Sequence, residues 1–586
     1  MMNNRQIGEW TWFRREFQPF VRVQLGSVAA LLGATVLSLV DPLIIKWLVD
    51  SGLQQRRWTP ILLAIAAFCV VYLARMGLLH FGSLWTARVV QQVMIRIRRR
   101  VLRRLQSLDA PFYDRHRVGD LVHRLEQDVE QLGQVGGDVL PTLARIILSV
   151  SVTLVIMFVL NWRLSCAVLP FIPVLLYLRG HFRTLLERTA ETSREAIGVR
   201  TSFLNECLGA SIQVQMLGAE PFFHRKYTRH VLEASRASLM QRRTELLYFA
   251  GSLTIMTLST AAVLLAGAYE VMQGALTLGG YIAFYSYLMR LLDPLSGAVD
   301  MHARLKRASS SIRRIVELEG LEPVVADSEN QRSFADSDVQ EIACRNLTFT
   351  YAEGQSVLQG INLHIARGQK IALVGQSGSG KSTLAKLLVR MYEPESGGVF
   401  LGGMDVRGLR LRSVRELISL VPPNPVLFAG TIRENVLLGE RVPGGELERL
   451  SRIACFDSVV EKFSSRWDHM LGSAGAGLSD GEKQRLGLLR ALVRDRSMLI
   501  LDEATGALDP VVEAEVLSRL DDYTREKFLL MITHRPSTAA WAERVLVVRD
   551  GQLVEVSCPE EFATNASALG RLVWGPMQDH PTLVRH

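Results

Sequence analysis

Cysteine is scarce in this sequence and never paired. The six cysteines of the 586-residue chain stand singly at 69, 166, 207, 344, 455 and 558, with no CxxC spacing and no cluster with histidine. Neither a zinc site nor a disulfide framework is indicated; small buried hydrophobes are the expected reading of all six. Acidic residues are in deficit, since 67 Lys and Arg face 58 Asp and Glu, a net charge of +9. Such a balance can signal nucleic acid, but here the arginines flank long apolar runs. Contact with lipid headgroups and topology selection fit them better. Membrane lipids are therefore expected partners and nucleic acid is not. A cleavable leader is not expected either. Arg14, Arg15 and Arg22 precede an apolar stretch too long for a signal peptide and without a convincing small-x-small site.

What the chain has is apolar residues, 48% of the total, and a positive mean hydropathy. They form long runs up to about residue 304 and short patterned segments after about 333. Two to four domains fit the length, and a membrane half followed by a soluble half is the simplest organisation. Six spans are expected: Val23 to Ile45, Ile61 to Leu79, Val139 to Leu160, Leu164 to Leu178 (a short one), Leu246 to Tyr269, and Gly280 to about Val299. Stretches 80–138 and 179–245 carry 10 and 11 Arg or Lys, whereas 46–59, 161–163 and 270–279 carry 3, 1 and 0. Positive charge stays inside, so both long loops and both termini are expected in the cytoplasm. Asp41, Arg75, His80, Arg290 and Asp293 lie in or near spans. Ionisable groups there face a bundle interior or a water-filled cavity. Arg75, Tyr285 and Arg290, with Tyr287, are candidates for a polar substrate path, with snorkelling or helix pairing as the alternative. Asp41–Pro42 and Asp293–Pro294 mark expected kinks.

The soluble half carries the chemistry. "KIALVGQSGSGKSTLAKLLVRMY" joins a short apolar strand, Lys370 to Val374, to a helix from Ser382 to Tyr392. Between them Gly375, Gln376, Ser377, Gly378, Ser379, Gly380, Lys381 and Ser382, followed by Thr383, fit G-x-x-x-x-G-K-[ST] in its strand–loop–helix context. Backbone N–H groups close around phosphates and the helix start adds a favourable dipole. Lys381 is expected to reach the β- and γ-phosphates of ATP and Ser382 to hold Mg2+. "MLILDEATGALD" (498–509) ends a buried strand in Asp502, a second Mg2+ ligand, and Glu503, placed to accept a proton from an attacking water. "FLLMITHR" (528–535) ends another strand in His534, a candidate γ-phosphate contact.

With "LSDGE" (478–482) between them, these motifs resemble the nucleotide-binding domain of the ABC transporter superfamily. The fused six-span half makes the chain similar to an exporter-type half-transporter, from Val21 to about Ala568. The expected fold is an all-α membrane domain whose six transmembrane helices extend into the cytoplasm, followed by an α/β P-loop ABC ATPase domain. The expected boundaries are 1–316 membrane domain, 317–338 linker, 339–575 nucleotide-binding domain and 576–586 tail. The resemblance implies that Tyr351 stacks on adenine and that 108–130 and 203–220 are cytoplasmic coupling loops. It also implies that Asp509 is the D-loop aspartate, and that Ser479, Asp480, Gly481 and Glu482 meet an ATP held mainly by a partner subunit. A second half-transporter is then the obligatory partner, and a bacterial inner membrane the expected location.

Three departures from the family pattern stand out. Asp480 and Glu482 occupy signature positions where LSGGQ has Gly and Gln; a carboxylate about 6 Å from a phosphate charge is repelled by roughly 3 kcal/mol at a dielectric near 20. Pro423 replaces the Q-loop glutamine, with Asn424 a substitute only after a one-residue shift, and Ser473 replaces a glutamate ahead of the signature. Lys381, Asp502, Glu503 and His534 are all kept while the signature is irregular, and the resemblance to asymmetric ABC exporters then implies a heterodimer with one degenerate site rather than a homodimer. Export or flipping of a drug, lipid or peptide is the leading function. The alternatives are an ATP-binding regulator or gated channel with little turnover, and a soluble ABC ATPase acting on nucleic acid, which six spans exclude.

Overall fold

Apolar segments in lipid have only their own backbone to hydrogen-bond with, so helix is the form available to them. The computed structural model describes residues 4–116, 118–325, 327, 339–351, 354, 356–472 and 475–556. Two compact units result: Met1–Gln106 with Val118–Leu321, and Ser107–Arg117 with Glu322–His586. In the first unit Trp10–Leu53, Trp58–Gln106, Val118–Leu160, Trp162–Gly209 and Glu220–Met272 are long and apolar enough to cross a membrane. The expected sixth span lies in the helix Leu278–Gly320, which continues through Asp293–Pro294; the side chains of 292–303 are not among those described. At 1.5 Å per residue the 53-residue helix Glu220–Met272 is about 80 Å long, far more than a hydrocarbon core of about 30 Å. Such helices run well out of the lipid.

Two expected spans are interrupted. Val21–Ser38 gives way to a new helix, Asp41–Trp47, with Pro42 in its first turn, where the missing N–H was unpaired anyway. Trp162–Val168 is likewise separated from Phe171–Gly209 at Leu169–Pro170, within the expected fourth span.

The break before Asp41 gathers charge. Asp41 is buried, and its Oδ2 accepts from Arg75 Nη1 at 2.7 Å and Arg290 Nη2 at 3.0 Å. Arg290 also donates to Ser38 O at 2.5 Å, and the buried Tyr287 hydroxyl donates to Leu39 O. The guanidiniums expected to face a substrate path are thus held in an ion cluster with Asp41. Arg75 also borders a cavity of about 410 Å³ with Thr35, Ser38, Thr142, Arg145 and Ser149; Arg290 and Tyr285 do not line it.

In the second unit a six-stranded sheet runs in the order Gln552–Val556, Arg544–Arg549, Lys370–Val374, Phe528–Ile532, Met498–Asp502, Ile418–Val421. All pairs are parallel except the antiparallel first one. Because side chains alternate across a strand, each central strand feeds two cores. Leu499, Leu501, Leu529 and Met531 enter one; Met498, Ile500, Phe528 and Leu530 enter the other. That is why these strands read as unbroken apolar runs. A four-stranded antiparallel sheet, ordered Ser356–Ala366, Glu341–Thr350, Ser396–Leu401, Met404–Asp405, completes the unit.

Candidate nucleotide site

Three neighbouring parallel strands, Lys370–Val374, Phe528–Ile532 and Met498–Asp502, end side by side, so the residues after them share one edge of the sheet. Ligands of open α/β sheets bind at such carboxyl ends. The loop after the first strand leads into the helix Lys381–Leu388, whose N-cap, Gly380, has φ +101°. A Cβ there would lie 2.7 Å from Leu358 Cδ2, so both the backbone conformation and the space require glycine. Lys381 Nζ donates to Gly375 O at 2.9 Å and Gln376 O at 2.8 Å, arching over the loop. Burial lowers its ammonium pKa against the pull of Glu503 and Asp502. Ser382 Oγ donates to Asp502 Oδ1 at 3.1 Å. Burial raises the Asp502 carboxyl pKa, opposed by the Ser382 hydrogen bond and reinforced by the Glu503 charge.

Glu503 sits at φ +51°, an uncommon conformation for a non-glycine residue and one that tends to occur at functional sites. Its N–H donates to Ile532 O at 2.9 Å, and its Oε1 lies 2.7 Å from His534 Nε2. Both side chains are part-exposed, so the carboxylate is fixed yet reachable from water. Gln484 supplies another tie that the motifs did not reveal. Its Nε2 donates to Pro423 O at 3.0 Å and Glu503 O at 3.3 Å, and its Oε1 accepts from Ala507 N at 2.8 Å. The backbones of Pro423, Glu503 and Ala507 therefore meet on one amide. Asn424 is exposed, and Ser473 lies outside the described residues. Gln484→Ala removes three hydrogen bonds worth about 1 kcal/mol each. ATP turnover is expected to fall at least tenfold with ATP affinity changed less than threefold; a steady-state ATPase assay showing turnover within twofold would exclude a positioning role for Gln484.

The signature segment folds differently from its expected threat. Ser479 caps the helix Asp480–Val493: Glu482 N donates to its hydroxyl at 3.3 Å, and Ser479 N donates to Glu482 Oε2 at 2.8 Å. This reciprocal cap is the S-x-x-E capping box. Lys462 Nζ donates to Glu482 Oε1 at 2.5 Å. Burial raises the Glu482 carboxyl pKa, but the Lys462 and Ser479 hydrogen bonds outweigh it and the net direction is down. Asp480 is 84% exposed and pairs with Lys483 at 3.1 Å. Gly481 packs so closely that a Cβ would lie 2.9 Å from Ala507 O. Asp509 is exposed at the start of the helix Pro510–Thr524 and makes no side-chain capping bond.

Tyr351 lies at the edge of the phosphate loop, its hydroxyl 3.1 Å from Thr383 Oγ1, with Tyr392 edge-on at 5.4 Å. The Tyr392 hydroxyl donates to Asp114 Oδ2 at 2.7 Å, in the short helix Ala110–Arg115 of the same unit. Within the loop Ser377 and Ser379 flank Gly378, and the buried Ser379 hydroxyl has no hydrogen-bond partner among the described residues.

Residues 25–295 match the family described as ABC transporter transmembrane region, and residues 358–506 match the family described as ABC transporter. The ATP-dependent lipid A-core flippase of Pectobacterium atrosepticum is 28% identical over 571 residues, covering 95% of this chain and 96% of its own. The ABC transporter ATP-binding protein YwjA of Bacillus subtilis is 27% identical over 565 residues, covering 95% and 97%. Among solved structures, a bacterial Atm1-family ABC exporter with ATP bound superposes with a TM-score of 0.79 at 25% identity, covering 94% of this chain and 98% of that one.

Proposed function

The chain belongs to the ABC transporter superfamily as a fused half-transporter, an integral membrane ATPase coupled to transport, and from that premise we propose that it exports or flips an anionic amphipathic molecule. The observation that carries the cargo class is the cavity lined by Arg75 and Arg145 among the hydroxyls of Thr35, Ser38, Thr142 and Ser149. Arg75 and Arg290 share one carboxylate, Asp41, so their cluster keeps a positive charge. Arg145 is exposed and has no ion-pair partner among the described residues. Relatives named as lipid A-core flippases support a lipid-like cargo. The excess of Arg and Lys in 80–138 and 179–245 supports cytoplasmic termini.

In this proposal Tyr351 stacks on adenine, the N–H groups of 375–383 wrap the phosphates, and Lys381 turns from Gly375 O and Gln376 O to the β- and γ-phosphates. Ser382 and Asp502, two hard oxygen donors already in contact, suit Mg2+, which when bound neutralises charge on the transferred phosphoryl group. Glu503 takes the proton of the attacking water while His534 holds its carboxylate and the γ-phosphate. Ser479 and Gly481 face the ATP of a second half-transporter, with Asp509 at the same interface.

That second half is proposed to be a different chain. Pro423 has no side-chain amide to offer, and Asp480 leaves an exposed carboxylate in the signature, while Lys381, Asp502, Glu503 and His534 are complete. A homodimer is the second reading, favoured by the pairing of Glu482 with Lys462, which removes one of the two offending charges. Purification of this chain alone separates them: the heterodimer predicts no stable, transport-competent dimer, and a homodimer with brisk coupled ATPase activity would overturn it. For the cargo, a phosphorylated lipid is expected to stimulate ATP hydrolysis in reconstituted vesicles, and Arg145→Ala to cut that stimulation at least fivefold. Equal stimulation by a neutral amphiphile would refute an anionic cargo.

A further inference from the structure

We propose that Lys462 is a positioning residue for the signature: it holds the Glu482 carboxylate inside the start of its own helix, away from the phosphates the segment meets. The inference rests on the proposal that Ser479 and its neighbours contact a partner-bound ATP.

Glu482 has two oxygens and both are occupied. Oε2 accepts from Ser479 N and Oε1 from Lys462 Nζ, and the residue is only 9% exposed. The capping box alone does not need a charge, because a glutamine amide oxygen can accept from the Ser479 N–H equally well. The charge is what needs an answer, since it stands beside an anion-binding helix start. Lys462 supplies that answer from outside the helix. It follows the short helix Asp457–Glu461, whose Val459 and Val460 are buried, so its backbone is fixed while its side chain reaches across. One turn further along the signature helix, Arg485 Nη1 donates to Cys455 O at 2.6 Å. The signature helix is thus tied twice to the same segment, 455–462, once through its own carboxylate and once through a guanidinium. Asp480 is treated differently: it stays out in solvent, where its interactions are screened. Without the Lys462 ammonium, Glu482 retains one hydrogen bond, and because Lys462 is 60% exposed the freed carboxylate has water within reach. Rotation of that carboxylate into water then brings it toward the incoming phosphates.

The test uses the complete transporter in lipid vesicles, with its partner subunit if it requires one. Lys462→Met is expected to raise the apparent KM for ATP about tenfold, with the thermal midpoint measured without ATP little changed. Lys462→Arg, which keeps the charge, and the double variant Lys462→Met/Glu482→Gln, which removes the need for it, should both return KM to within twofold of the parent. An unchanged KM in Lys462→Met, or a double variant as impaired as the single one, overturns the inference. Ser479→Ala in the same assay keeps the two levels apart. If it too leaves ATP hydrolysis unaltered, the signature contact itself is wrong; if it impairs hydrolysis while Lys462→Met does not, only the role of Lys462 falls.

Discussion

Replacing Glu503 by glutamine should reduce ATP hydrolysis by at least a hundredfold while leaving ATP binding within a few-fold of the parent. The amide keeps the shape and the contact with His534 but cannot take a proton, and general-base catalysis contributes about 10²–10⁴ in rate. The structure makes this substitution unusually clean. The backbone at 503 is held by its N–H to Ile532 O and its carbonyl to Gln484, and neither contact involves the side chain that changes. Conformation should therefore survive and only the chemistry should fail. ATP bound but not hydrolysed then accumulates the closed dimer, visible as retained nucleotide after gel filtration. Turnover within tenfold of the parent would assign the base elsewhere. It would also revive the idea of a regulator that binds ATP without needing to consume it.

The nucleotide site is legible in the sequence because its logic is local. Strand, loop and helix follow one another in 370–388, and the carboxylates sit at the end of a four-residue apolar run. Such a run, bounded as it is, reads as a strand buried on both faces. The signature is legible in position but not in orientation. Counted as charge, Glu482 looks hostile to phosphate; counted as the fourth residue of S-x-x-E, it is a capping partner, and that spacing is open to view in the sequence. Lys462 offers no comparable sign, because its contact spans 20 residues and depends on how two helices pack. The same limit governs the membrane half. Span positions follow from hydropathy, but Asp41 meets residues 34 and 249 positions away, a pairing that exists only after the helices assemble. Gln484 lies between these cases, three residues past Gly481 on the helix Asp480–Val493, with nothing local to mark its side chain as the joint of two loops.

The ion cluster around Asp41 carries the second large effect, on stability rather than on turnover. Asp41→Ala should destabilise the membrane unit by about 2–4 kcal/mol, toward the lower part of the range for breaking a buried pair because Arg75 and Arg290 are 20% and 33% exposed. The cost arises from what remains: two guanidiniums in a low-dielectric site with their shared carboxylate gone. Removing either arginine is a different matter. Arg75→Ala leaves Asp41 paired with Arg290, which still reaches Ser38 O, and Arg290→Ala leaves it paired with Arg75. Each single arginine loss should therefore cost less than half as much, and Asp41→Asn, which keeps an acceptor oxygen but not the charge, should fall between. Thermal unfolding in detergent is the measurement, with the four variants ranked by midpoint rather than converted to absolute free energies, since a two-unit membrane protein does not unfold in two states. If Arg75→Ala lowers the midpoint as far as Asp41→Ala does, the carboxylate is not the hub, and the break at Leu39–Val40 owes its shape to packing alone.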